Sequence, residues 1–144
     1  MKYHKLTIPA FVLPFVLLFC SNSFGQDKHW LSYEPAVVEL TGQLRVIRKY
    51  GPPNFGENPK TDAKVKVPLL VLSYPINVRG NQNEFPYDVE VRGIKRIQLT
   101  ITGLGELDRR LIGKNVIVQG TLFHAHTGNH YTPVVMEVKA IKLD

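Results

Sequence analysis

His124, His126 and His130 are the residues whose type and spacing point most directly to chemistry. Imidazoles at alternate strand positions project from one face, and a third just past the turn can join them, so the trio is a donor set for zinc or copper. Each ring also fits a second role, as a polar group where strands end, hydrogen-bonded to backbone or water. No fourth ligand stands near the three in the sequence, and metal sites need a defined set with a second shell. Ser32 and Ser73 sit in no nucleophile-elbow pattern. Glu106 and Asp108 lie beside Arg109 and Arg110, which suits surface ion pairing rather than a carboxylate pair for hydrolysis. Gly103-Leu104-Gly105 lacks the later glycine and the βαβ setting of a dinucleotide fingerprint, so no nucleotide cofactor is implied. Asp62, Glu57 and Glu106 read as solvated loop acids.

The elements that must carry these residues are strands. Residues 37–47 alternate, with Val38, Leu40, Leu44 and Val46 on one side and Glu39, Thr41, Gln43 and Arg45 on the other. Gly42 interrupts the apolar side, where a missing side chain suits the bulge or coiling that lets one strand serve two sides of a small barrel. Residues 51–62 are rich in Pro, Gly and Asn and form a long first loop, since Pro52 and Pro53 donate no ladder hydrogen bonds. Residues 64–73 give a second strand ending in Tyr74-Pro75-Ile76, residues 79–84 a polar connection, and residues 96–102 a third strand with Ile97, Leu99 and Ile101 inward. Leu104, Leu107 and Leu111 follow helical spacing, and Gly113 is suited to end that short helix. Residues 115–126 and 134–140 are the fourth and fifth strands, with Gly120 repeating the mid-strand glycine; Trp30 and Tyr33 are expected to pack on the barrel's end. This order predicts an all-β domain with one short helix, an OB-fold-like five-stranded partly open barrel.

Side-chain parity limits the last hairpin, because opposed residues in an antiparallel pair point to the same side of the sheet. A three-residue loop at 127–129 sets His126 against His130, His124 against Thr132, Leu122 against Val134 and Val118 against Val138, and the apolar faces agree. That register projects all three histidines to one side of the tip.

The amino terminus bounds the compartment. Lys2, His4 and Lys5 precede an apolar run at residues 6–20 broken by Thr7, Pro9 and Pro14, and Ser23-Phe24-Gly25 supplies small residues for a peptidase. Residues 1–25 therefore read as a secretion signal cut before Gln26, and residues 26–144 as a single OB-like β domain. The run is shorter than the roughly 20 residues a membrane-spanning helix needs, so no stable span is expected in the mature chain. Phe19 occupies the place where a lipoprotein signal carries a small residue, which argues against lipid attachment at Cys20. With Cys20 lost, no thiol remains for a disulfide, a nucleophile or a metal. The formal charge of +6 falls by two with Lys2 and Lys5; such a charge favours solubility and selects no partner.

Residues 51–56 (Gly-Pro-Pro-Asn-Phe-Gly) and 113–128, where glycines, strand alternation and paired histidines coincide, resemble an uncharacterised family of exported bacterial proteins, domain of unknown function number four-four-three-one. The resemblance implies no activity that can be carried over. Relatives often continue with three successive histidines after Thr-Gly, whereas this chain has Asn129, His130 and Tyr131.

Both segments fall at the loops that, in OB-folds, flank the face that binds oligonucleotides or oligosaccharides. The candidate binding residues are accordingly Asn54, Phe55, His124, His126, His130 and Tyr131. The basic residues Lys95, Arg96, Arg109, Arg110 and Lys114 suggest a stripe for nucleic acid, but export argues against such a role. The expectation is a non-enzymatic binding module, periplasmic or secreted, for an extracytoplasmic glycan, peptide or protein. The alternative is a protein that binds zinc or copper, or depends on it, through the histidine hairpin.

Overall fold

The computed structural model describes residues 30–81, 83 and 88–144. The secretion signal expected at residues 1–25 lies outside them. Six strands form one mixed sheet: β1 (Trp30–Ser32), β2 (Val37–Tyr50), β3 (Lys64–Arg79), β4 (Val91–Thr100), β5 (Asn115–His124) and β6 (Val134–Leu143). Five of them close into a near-ring, because the order β1-β3-β2-β5-β6-β4 is completed by a pairing of β3 with β4. All ring pairings are antiparallel except β4 with β6, which are parallel.

Strand β2 is shared along its length. Its first half, from Val37 to Gln43, pairs with β5, and its second half, from Gly42 to Tyr50, pairs with β3. The hand-over falls at Gly42, where a Cβ would collide with the Val71 carbonyl, so only a bare backbone can turn from one neighbour to the other there. Gly120 plays the same part in β5. A Cβ on it would collide with the Glu137 carbonyl, and the ladder with β6 shifts register between Gln119 and Gly120.

The ring encloses Leu44, Leu70, Ile97, Leu99, Leu122 and Met136, with valines 116, 118, 134 and 138 between them. These are the positions that alternation assigns to the inner face. Tyr33 joins them at 3% exposure, as expected of the segment before the ring, while β1 adds a short parallel edge to β3. Trp30 on that edge is half-buried, with the guanidinium groups of Arg79 and Arg92 at 5.6 and 5.0 Å from its ring.

Two expectations need correction. The helix at residues 104–112 is instead a run of turns ending in one 3-10 turn, Arg109–Leu111, capped by the Asp108 carboxylate. Glycines at 103 and 105 weaken a helix of that length, and Gly105 takes a positive φ of 78° that no helix accepts. The second correction is the hairpin register. His124 pairs with Val134 and Leu122 with Met136, two residues from the expected alignment, and beyond the shift at Gly120 Val118 pairs with Ile141. Parity excludes a one-residue error and is blind to a two-residue one. The connection is therefore nine residues, 125–133, closed by the Ala125 N–H donating to Pro133 O at 2.9 Å. Among the described residues no helix is long and apolar enough to cross a membrane.

Candidate functional site

The longer loop does not extend the hairpin; it folds over the outside of the ring. Val67, Leu69 and Val135 are buried although alternation points them away from the main core. Gln98, paired with Leu69 on one side and Val135 on the other, fastens that loop. Its Nε2 donates to Asn129 O at 3.0 Å, its Oε1 accepts from Tyr131 N at 2.7 Å, and its own N–H donates to the Thr132 hydroxyl at 2.9 Å. At 7% exposure Gln98 needs those partners, since a buried amide left unpaired is costly. Its outward position in an alternating strand gives no hint of this.

The loop at residues 51–63 arrives from the other side and is built around Asp62. That carboxylate accepts from the backbone N–H groups of Asn54, Gly56 and Asn58 at 2.9, 2.7 and 3.1 Å, and from the Asn54 side chain at 3.2 Å. Burial raises its pKa, but the four donors outweigh burial and hold it below the ordinary carboxylate value. Asp62 is thus the buried organiser of its loop, not a solvated acid. The arrangement holds Phe55 at a φ of 51°, rare for a bulky side chain.

The two loops meet at the Phe55 side chain. A methyl group added to Gly128 would lie 2.9 Å from the Phe55 ring, and the Tyr131 hydroxyl donates to Tyr50 O at 2.8 Å. Of the six candidate residues, Asn54 and Tyr131 therefore spend their polar groups joining chain to chain. Phe55 anchors the contact and still leaves 39% of its surface exposed.

The three histidines divide. His126 and His130 stand edge to face with ring centres 4.7 Å apart, and Phe123 packs against both at 5.8 and 5.2 Å. His124 turns its ring to Tyr33 instead, at 6.4 Å. Backbone partners fix the protons of the pair. His130 Nδ1 accepts from the His126 N–H at 3.1 Å, so its single proton in the neutral ring is on Nε2. His126 Nδ1 lies 3.0 Å from the His124 carbonyl, which only an N–H can satisfy, so its Nε2 carries the lone pair. The pair presents one donor and one acceptor. Burial, and then the repulsion a protonated His126 would exert, push the His130 pKa below its ordinary value, favouring the neutral form of His130. Among the described residues no three His, Cys, Asp or Glu side chains converge to hold a metal ion, and the expected donor trio is a pair plus one.

His124, His126 and Phe123 line an open cleft of about 660 Å³ together with Glu34, Pro35, Asn81 and Asp88. Glu34 is held there by its N–H donating to Leu122 O at 2.8 Å. Tyr33 packs against the His124 ring; burial and then Asp88 raise its pKa to about 12, and its hydroxyl donates to Val89 O at 2.7 Å. Glu34, Asp88 and Gln98 carry no motif and Phe123 stands out only as part of the segment 113–128, so none of the four is a sequence candidate. Elsewhere Asp108 pairs with Arg110 at 2.8 Å, the surface ion pairing expected of that segment.

A model of the family described as Domain of unknown function (DUF4431) matches residues 96–142. That span runs from β4 through β6 and includes Gln98, the histidine loop and residues 113–128, while the segment 51–56 lies outside it. No curated protein and no solved structure matches the chain.

Proposed function

We propose that this chain is an exported binding module, OB-fold-like in topology, that takes a hydroxyl-rich neutral ligand such as a glycan in the cleft beside Phe123, His124 and His126. The OB-like reading is supported by the ring itself, with an antiparallel meander of β2, β3 and β4 joined to the β5–β6 hairpin through a parallel contact of β4 with β6 and closed by β2 with β5. In such barrels the loops corresponding to residues 51–63 and 125–133 flank the ligand face. Export rests on the signal at residues 1–25, and a binding module outside the cytoplasm needs no catalytic group.

The observation that carries the ligand class is the imidazole couple. His126, whose Nε2 is the acceptor of the couple, lines the cleft with Phe123 and matches a hydroxyl group on a ring that stacks on an aromatic, while His130, outside the cleft lining, accepts from the His126 N–H and fixes that residue's backbone. Glu34 and Asp88, which also line the cleft, accept further hydroxyl protons and repel phosphate, which disfavours nucleic acid.

A glycan and peptide array probed with wild type, His126→Ala and Phe123→Ala tests this reading. Glycans are expected to dominate the bound set, and each substitution to weaken their binding by about tenfold or more, the loss of a hydrogen bond or a stacked ring in a ligand contact. Glycans bound equally by all three proteins, or only peptides bound, would overturn it.

A further inference from the structure

The groove left where a helix fails to form is a second site, independent of the reading above. Alternation carries the inner face of β2 and β3 outward from the core pair Leu44–Leu70 through Val46–Pro68 to Arg48–Lys66. The last pair sets two cations directly opposite one another across the strands, an arrangement that is destabilising unless an anion lies between or above them. Arg109 joins them from the 3-10 turn, and the three line a groove of about 540 Å³ with Ile101, Leu107 and a single acid, Glu106. None of Arg48, Lys66 and Arg109 makes an ion pair with a described residue, while the neighbouring Arg110 is taken by Asp108. The floor is apolar because Val46, Pro68, Ile101, Leu107 and Ile112 line it, and without a helix over them Leu107 is only half-covered and Ile112 is 40% exposed.

We infer that this groove binds a small amphipathic anion, a phosphate or carboxylate head on a short hydrocarbon tail. The head sits over Arg48, Lys66 and Arg109, and the tail lies along Ile101 and Leu107. Neither half of such a ligand suffices: charge without a tail leaves the floor wet, and a tail without charge leaves the opposed cations unrelieved. The groove lies at the far end of β2 from the His124 cleft, since Val37 at the start of the strand pairs with Thr121 and Arg48 is near its close.

Titration with octyl phosphate, followed by amide shifts in NMR, tests the assignment. Shifts are expected to centre on Ile101, Leu107 and Arg109 and to leave His126 unmoved. Inorganic phosphate and octyltrimethylammonium are each expected to bind at least tenfold more weakly. The exposed substitutions Arg48→Gln with Lys66→Gln, and separately Arg109→Gln, are expected to weaken octyl phosphate by about tenfold while leaving the spectrum of the ring unchanged. Equal affinity for the cationic detergent, equal affinity for phosphate alone, or undiminished binding by both variants would overturn it. Loss of glycan binding at the other cleft has no bearing on these outcomes.

Discussion

Replacing Gln98 with alanine is expected to lower the stability of the domain by about 2–4 kcal/mol, the range for losing a buried amide and stranding its partners. Two side-chain hydrogen bonds disappear at once, from Nε2 to Asn129 O and from Tyr131 N to Oε1. A cavity opens beneath the loop, next to Leu69 and Val135. The effect should be local before it is global: hydrogen exchange at Tyr131 should accelerate more than at core amides of β5. Gln98→Glu separates the contributions, because it keeps an acceptor for Tyr131 and sets an oxygen against the Asn129 carbonyl. Urea denaturation of both variants measures the outcome; a loss below about 0.5 kcal/mol, the scale of an ordinary surface substitution, would show that Gln98 does not fasten the loop.

Gly120→Val should be as damaging for a different reason, with an expected loss of about 3–5 kcal/mol from a backbone clash that no rotamer relieves. The new Cβ meets the Glu137 carbonyl of β6 rather than a flexible side chain, so the ladder must open to admit it. Because β5 also pairs with β2, the disturbance passes to both of its neighbours in the ring. Gly103→Ala is the matched control. No atom lies within 4 Å of the Cβ it would gain, and its stability should stay within about 0.5 kcal/mol of wild type. Thermal or urea melts that place Gly120→Val beside Gly103→Ala would remove the close approach from the account.

The strands were legible because alternation is a direct record of which side is buried. Leu40, Leu44, Val116, Val118 and Leu122 are inside as their spacing requires, and the two mid-strand glycines mark close approaches of backbone. The helix was not legible: the three-and-four spacing of Leu104, Leu107 and Leu111 is real, but intervening glycines give the segment turns. Parity matched the apolar faces of β5 and β6 but left the hairpin's length open, so a three-residue turn and a nine-residue flap looked alike, and the three histidines expected on one side divide. That ambiguity hid the most consequential feature of the site, a loop folded back and held by Gln98. The meeting of residues 54–56 with 126–131 was anticipated from loop position, and Phe55 against Gly128 is its contact. The roles inside it were not, because whether Asn54 and Tyr131 face a ligand or their own chain depends on Asp62 and Tyr50, partners that alternation cannot name.

Opposite tautomers in the His126–His130 pair, with one Nε2 offering a proton and the other a lone pair, are the central requirement of the geometry. Long-range proton–nitrogen NMR of the imidazole rings reads this directly. At neutral pH His130 is expected as the Nε2–H tautomer and His126 as the Nδ1–H tautomer. His130 should still be more than half neutral at pH 6.5, because its folded pKa lies below that value. The sign follows: its contribution to stability is whole above pH 6.5 and fades as pH falls through the lower folded pKa. Two rings with the same tautomer, or a His130 that is mostly protonated at pH 6.5, would contradict the account.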